Sequence, residues 1–218
     1  MEQVSRSNFW FKRIHSFVGI VPLGIFILFH FIFHASSNRG PEIYDARLKW
    51  LYGLPLHAAA SVLLVYVPLI YHSIAGFIIT LRARPNWPQY PYFGNFKFII
   101  QRITALGLLF FIGAHLVKAR FVELFFNEEM SWMHEALALR PDSSHFNPLS
   151  TPSYILGILA ISFHLANGLW TFGITWGITP GPKSQRWSAR FSIILFAALS
   201  LLGLYALFGF FRGPLAAE

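Results

Sequence analysis

The chain has 218 residues, of which 55% are hydrophobic and only 12% are charged, whereas soluble domains carry about a quarter charged residues. Its apolar content exceeds what one water-soluble core of this size needs, so lipid must solvate the rest. The net charge of +8 does not indicate nucleic-acid binding, because the basic residues cluster at the ends of apolar runs. The absence of cysteine excludes disulfides and cysteine-held iron–sulfur clusters within this chain.

Five apolar segments, taken in chain order, are long enough to span a membrane as α-helices. The first is too long for a typical signal peptide and lacks a small-residue cleavage site, so it is expected to be retained. Pro22 and Pro68 fall inside the first two helices, where neighbouring helices can satisfy the freed carbonyl groups. The segment 121–150 is expected to form a short amphipathic stretch on the outer surface. The sequence thus predicts an all-α integral membrane fold, a single domain over 1–218, with helices at about 13–34, 56–81, 98–120, 151–176 and 188–211.

The distribution of charge predicts the orientation of these helices. The N-terminus and the connections 82–102 and 183–190 fall on one side and carry ten basic residues against Glu2 alone. The other side carries seven basic and eight acidic residues. The positive-inside rule therefore predicts a cytoplasmic N-terminus and a C-terminus outside the membrane.

Four of the five predicted helices each contain a histidine at membrane depth, where an ionisable residue indicates a functional site. His30 and His115 each lie roughly 25 Å from the inner boundary at 1.5 Å per residue. His72 and His164 lie on helices that run the other way, roughly 15–18 Å from the inner side. Depth alone therefore predicts an outer pair, His30 with His115, and an inner pair, His72 with His164.

A pair of neutral imidazoles from two helices suits six-coordinate haem iron, which favours electron transfer over oxygen chemistry. Two haems at different depths would carry electrons across the bilayer. A di-iron site would need tight histidine clusters, and only His30 and His34 have such a spacing; a zinc site would need a third ligand at the same depth. A haem-free structural or transport bundle cross-linked by histidines remains an alternative. Glycines that would leave room for a flat macrocycle, or would let helices pack closely, occur throughout: Gly19, Gly24, Gly76, Gly107, Gly113, Gly157 and Gly168.

Four stretches of the chain closely resemble a known family, the cytochrome b558 subunits of succinate dehydrogenase. These are Arg13–His30, the P-L-I-Y-H run ending at His72, Gln101–Thr104 and Phe163–Ile178. Members are single-chain, five-helix, two-haem anchors of menaquinone-using bacteria, with relatives in fumarate reductases. The resemblance implies that the same four histidines are axial ligands of two haems b. His30 and His115 would hold the distal haem, and His72 and His164 the proximal one.

The resemblance also implies the partners and the reaction. Such anchors sit in the bacterial inner membrane and bind an iron–sulfur subunit, and through it a flavoprotein subunit, on the cytoplasmic side. Electrons from succinate would reach menaquinone through the proximal and then the distal haem. The anchor of a quinol:fumarate reductase running in reverse is the nearest alternative, and a higher oligomer of the complex is compatible with either function.

Further polar residues near the inner ends of the helices are candidates for contacts with haem. Arg13 and Ser16 could meet a haem propionate or the partner subunit, or could simply anchor the first helix. Gln101 and Arg102 could reach propionates of the inner haem, with lipid headgroup contact as the alternative.

The remaining candidates lie on helix IV and at the outer end of helix II. Asn167 is expected to supply a hydrogen bond behind a ligand, and Trp170 to pack on a haem or on lipid. His57 could relay protons for a quinone site near the outer surface, or could be an interfacial histidine. Some fumarate reductases of the family carry a glutamate where Ser162 stands here, so a carboxylate-gated proton route within the helices is expected to be absent.

Overall fold

Helices make up almost all of the described chain, which in this computed structural model comprises residues 6–83, 86, 88–118, 130–143 and 147–212. A single 3-10 turn, Ala35–Arg39, follows the second helix, and a wider π-helical stretch, Val62–Tyr66, follows the fourth. In chain order the α-helices are α1 (Arg6–Ile20), α2 (Pro22–His34), α3 (Pro41–Tyr52), α4 (His57–Ser61), α5 (Val67–Leu81), α6 (Phe93–Leu116), α7 (Trp132–Leu139), α8 (Ser150–Thr175) and α9 (Pro182–Gly209).

Five helical stretches of the described residues are long and apolar enough to cross a membrane, which confirms the predicted all-α membrane fold. Their mean hydropathy lies between 1.6 and 2.3, and many of their large apolar side chains are exposed, as expected of helices that lipid solvates. We name them span I (Asn8–Arg39), span II (His57–Leu81), span III (Phe93–Leu116), span IV (Ser150–Thr175) and span V (Pro182–Gly209).

The two prolines inside the spans are accommodated differently. Span I passes from α1 to α2 at Val21, whose N–H still bonds Phe17 O at 2.8 Å, so the helix continues although Pro22 brings no donor. Pro68 lies in the first turn of α5, directly after the wide turns of Val62–Tyr66. Because Pro68 lacks the N–H that would bond the carbonyl one turn earlier, a local widening of the helix there is expected.

Two spans begin several residues earlier than predicted, and in both of them basic residues lie near the start of the helix. Span V begins at Pro182 rather than 188, after Gly181, whose N–H bonds the Ser184 hydroxyl at 3.2 Å. Span III begins at Phe93 rather than 98. Basic residues thus lie inside the first turns, where their long side chains can reach the membrane surface. The predicted end of span III at 119–120 lies outside the described residues.

A cap of α3, α7 and the Ala35–Arg39 turn covers one end of the bundle. The Trp132 side chain is fully buried; its backbone N–H bonds Asp45 Oδ1 at 2.7 Å and its indole N–H bonds Ser37 O at 3.3 Å. Ser37 in turn donates to Ala206 O of span V at 2.7 Å. The amphipathic stretch expected within 121–150 includes α7, which packs one face into the cap and leaves the other partly exposed. Its position on the outer surface of the membrane stays a prediction, and α3 was not predicted. Residues 119–129 and 144–146 lie outside the described part.

The two ends of the bundle differ in character, and we name them accordingly. The capped end carries α3 and α7. The opposite end, which we call the basic end, carries Lys12, Lys97, Arg102 and Lys183 near the starts of spans I, III and V.

A candidate cofactor cavity between the spans

A cavity of about 2290 Å³ runs mainly between the first four spans, and the four histidines predicted to pair, His30, His72, His115 and His164, all line it. Pockets for a single drug-sized ligand have volumes of about 300–1,000 Å³. This cavity is therefore large enough for more than one sizeable group. It reaches from Lys12 and Lys97 at the basic end to Arg47 and Glu135 at the capped end.

Near the basic end, the imidazole rings of His72 and His164 face each other across the cavity. Their centroids lie 6.2 Å apart and their planes are nearly perpendicular, at 85°. His72 Nδ1 is 3.1 Å from the carbonyl oxygen of His15, and His164 Nδ1 is 3.4 Å from the hydroxyl of Thr104. In each ring Nδ1 is thus engaged by the protein, which leaves Nε2 for a ligand in the cavity.

Towards the capped end, His30 and His115 repeat the same arrangement. Their centroids lie 6.0 Å apart and their planes are again inclined by 85°. A hydrogen bond of 3.2 Å joins His115 Nδ1 to the hydroxyl of Tyr154. The two pairs predicted from helix depth therefore meet as two pairs of facing rings.

The spacing of the rings provides a test of whether a haem iron fits between them. A metal atom bound to two imidazole nitrogens at about 2 Å each holds the ring centroids about 6 Å apart. Both pairs have this separation, and engagement of Nδ1 by a second group is the usual arrangement for a metal-bound histidine. The residues present therefore fit a bis-histidine haem at each level.

The glycines predicted to make room serve more than one purpose. A Cβ on Gly19 would overlap the His72 ring, and a Cβ on Gly76 would lie 3.0 Å from Cε1 of His15. These two glycines let spans I and II approach where their histidines meet. Gly113 lines the cavity with nothing within 4 Å of its Cβ position. Gly107 also has nothing within 4 Å but does not line the cavity.

Gln101 and Asn167 link spans III and IV beside the basic-end pair. Asn167 donates to Gln101 Oε1 at 2.9 Å, and Gln101 donates to the backbone carbonyl of His164 at 3.1 Å. Asn167 therefore does not bond the ring of the candidate ligand His164. It supports His164 indirectly, through Gln101 and the backbone carbonyl of His164. Arg102 lines the cavity, donates to Phe98 O at 2.9 Å and lies 3.3 Å from the centre of the Phe98 ring.

Arg13, Ser16 and Trp170 lie at the basic end of the bundle. Arg13 does not line the cavity; it donates to Thr175 O at 3.0 Å and lies 5.0 Å from the centre of the Trp176 ring. Ser16 and Trp170 do line it. The indole N–H of Trp170 bonds Gln185 O at 3.3 Å, and its ring lies 3.4 Å from the Lys97 ammonium. Trp170 thus ties span IV to the start of span V.

At the capped end the cavity contains one group that the sequence did not single out. Glu135 of α7 is the one acidic side chain among the described residues that line the cavity, and it forms an ion pair with Lys118 at 3.0 Å. Burial, the largest single influence, raises the pKa of this carboxyl, but the charge and hydrogen bond of Lys118 together with the nearby histidines more than offset it, so the pKa is lowered. One helix face carries the four buried residues Trp132, Glu135, Ala136 and Leu139. Their spacing in the sequence was the signal that could have predicted the burial of Glu135.

His57 and His34 also belong to the capped half of the cavity. His57 lines it, with its ring 5.2 Å from that of Tyr52. His34 bonds the Tyr44 hydroxyl at 2.9 Å, and burial raises the pKa of that hydroxyl. Ser162 is fully buried. Among the described residues that line the cavity, the carboxylate comes from the cap and not from a span.

The fold and the cavity define a class: a multi-pass membrane protein whose helices present paired imidazoles to an apolar interior. No protein-family model matches the chain. It is 36% identical over 207 residues to the succinate dehydrogenase cytochrome b558 subunit of Bacillus subtilis (strain 168), covering 93% of this chain and 97% of that protein. The chain belongs to the family of succinate dehydrogenase cytochrome b558 subunits. It is thus a cytochrome b membrane anchor and a subunit of an oxidoreductase complex.

Proposed function

We propose that this chain binds two haems b and transfers electrons between an iron–sulfur subunit at its basic end and menaquinone at its capped end. His72 and His164 would hold the proximal haem, and His30 and His115 the distal haem. The observation that carries the proposal is the pair of ring separations, 6.2 and 6.0 Å, each with perpendicular planes. When bound, haem b would supply a one-electron carrier.

The chain's own residues would keep the ligand rings ready for that role. His15 O, Thr104 and Tyr154 engage Nδ1 of three of the four rings, which holds Nε2 towards the cavity. The apolar walls of spans I to IV exclude water from the space between the pairs. A dry, fixed environment keeps the structural change on electron transfer small.

The two ends of the cavity would serve different partners. We propose that the basic end faces the cytoplasm, because the N-terminus and two connections there carry ten basic residues against one acidic residue. The iron–sulfur subunit, and through it the flavoprotein, would dock at this end. Menaquinone would bind at the capped end, where His57 and Tyr52 offer groups that can bond a quinone oxygen or exchange its protons.

The first experiment measures haem in the complex purified with its partner subunits. We expect reducible b-type absorption bands and two haems per chain. Replacing His30 or His115 should remove the distal haem and spare the proximal one, and replacing His72 or His164 should do the opposite. His134→Gln is the matched control, because His134 of the cap does not line the cavity, and it should leave both haems in place.

The same preparations distinguish the alternatives. A chain without b-type bands would refute the proposal in favour of a haem-free helical bundle, and loss of the proximal haem alone in His115→Ala would refute the pairing. A redox titration with succinate, fumarate and a menaquinol analogue then establishes the direction in which the complex operates. Faster fumarate reduction than succinate oxidation would favour the fumarate reductase alternative.

A further inference from the structure

Each of the two candidate ligand pairs has a third histidine beside it, contributed by span I. The His15 ring stacks on that of His72, with centroids 4.1 Å apart and planes only 12° from parallel. The His34 ring lies beside that of His30, with centroids 4.3 Å apart and planes inclined by 58°. His15 and His34 both line the cavity. The proposed function assigns no role to the side chain of either.

His15 and Gly19 together form a slot for the His72 ring. The His15 ring covers one face of His72, and the His15 carbonyl oxygen lies 3.1 Å from His72 Nδ1. One turn further along span I, Gly19 approaches His72 so closely that a Cβ there would overlap the ring. Gly76, one turn after His72 on span II, makes room for His15 in the same way. The ring of His72 therefore has little freedom to rotate.

His34 connects the other pair to the cap. Its Nδ1 bonds the hydroxyl of Tyr44 at 2.9 Å, and Tyr44 of α3 is only 2% exposed. His34 follows His30 by one helical turn, so the two side chains lie on the same face of span I. The His34 ring is thus held by α3 and in turn borders the His30 ring.

These third histidines do not complete a larger metal site. In the part of the chain that the structure describes, no three His, Cys, Asp or Glu side chains are grouped to hold a metal ion. Two imidazoles already fill both axial positions of a haem iron. A role for His15 and His34 must therefore act through the neighbouring ring.

We propose that His15 and His34 are positioning residues, one for each haem, which fix the orientation of the ligand rings of His72 and His30. This inference rests on the proposed function, because it needs the four facing histidines to be ligands. The orientation of an axial imidazole determines how its orbitals overlap those of the iron. The g values of the oxidised haem and its midpoint potential would therefore report the orientation of the ligand rings, which haem content alone does not.

The test uses the complete complex with His15→Ala, His15→Phe and His34→Ala, each measured by electron paramagnetic resonance and by redox titration. His15→Ala should change the g values and potential of the His72–His164 haem alone, and this haem should be held about 10- to 100-fold less tightly. His15→Phe keeps a flat ring against His72 and should restore the wild-type signal. The backbone hydrogen bond from His15 O is present in all variants, so the comparison isolates the stacked ring. His34→Ala should affect the His30–His115 haem alone.

Each variant contains its own control, because the haem of the other pair should stay unchanged. Equal changes in both haems, or no change in either, would overturn the inference. If His15→Ala lacks the proximal haem altogether, His15→Phe decides: a restored haem supports the stacking role, and continued absence overturns it. Absence of both haems from the wild-type complex would instead refute the proposed function, so the two failures are distinguishable.

Discussion

Gly19 of span I and His72 of span II approach each other so closely that position 19 has no room for a side chain. A Cβ built on Gly19 would overlap Cε1 of His72 and lie 2.9 Å from its Nδ1. Real Cβ atoms do not make contacts this short, so either the helix or the ring must move when one is added. The glycine therefore determines where the His72 ring can lie.

We accordingly expect Gly19→Ala to displace His72 and to impair binding of the proximal haem. Overpacking of this kind costs about 1–3 kcal/mol, and a displaced ligand weakens haem retention further. The ratio of haem to chain in the purified complex checks this, with an expected fall from two towards one. Gly107→Ala is the matched control, because position 107 has nothing within 4 Å and does not line the cavity. Two haems with unchanged spectra in Gly19→Ala would contradict the prediction.

Tyr154→Phe should weaken the distal site without emptying the space around it. The change removes the hydroxyl that lies 3.2 Å from His115 Nδ1 but keeps the ring that packs edge-on against Phe111. Loss of such a supporting bond typically costs about 10- to 100-fold in metal affinity or activity. A redox titration should therefore show a shifted potential for the distal haem and an unchanged proximal haem. Tyr205→Phe, on the exposed face of span V, should change neither.

Glu135→Gln should destabilise the cap, because it removes the charge that partners Lys118 at 3.0 Å. Lys118 is partly exposed and can find water, so we expect a loss of about 1–3 kcal/mol, in the range of a charge-assisted hydrogen bond. Hydrogen exchange of α7 measures the effect as faster opening of Trp132–Leu139. The double variant with Lys118→Met should recover part of the loss, since no unpaired charge then remains. An unchanged exchange rate in Glu135→Gln would show that the pair contributes nothing.

The same ion pair should make the stability of the cap depend on pH. Because the pKa of Glu135 is lowered in the folded protein from the ordinary value of 4.5, its contribution is fully present above that value. The contribution is lost as the pH falls below 4.5 and through the lower pKa of the folded state. Exchange of α7, corrected for intrinsic rates, should therefore accelerate in this acid range in the wild type. The extra acceleration should be absent from Glu135→Gln.

The sequence predicted which histidines lie together because the rise of a helix converts residue number into depth. The equal depths of His30 and His115 could be calculated without knowing which spans are neighbours. Their rings lie close together in the structure, in agreement with those depths. The starts of spans III and V were harder to predict, because Lys97 and Lys183 lie within the helices. The predicted helices began after these lysines, as if a basic residue marked the helix boundary. A long basic side chain can instead reach the membrane surface from within the first turns of the helix.

The cap was missed for a different physical reason. Four charged residues occur between 42 and 49, and they concealed the spacing of Tyr44 and Leu48, which lie one turn apart and are both buried. The spacing of Glu135 from Trp132 and Leu139 placed it on the buried face of a helix, but acidic residues in an outer segment are usually solvated. Its partner could not be predicted, because Lys118 follows span III and lies 17 residues away in the sequence.

The volume of the cavity has a consequence for the biogenesis of the protein. A space of about 2290 Å³ between spans I and IV deprives the helices of direct contacts that a bundle of this size would otherwise make. A molecule that binds the folded state alone adds RT ln(1 + [L]/Kd) to stability. If haem fills this cavity as proposed, the folding equilibrium would be linked to the intracellular concentration of haem. Cells limited for haem should then accumulate less of the folded polypeptide even when its messenger RNA is abundant.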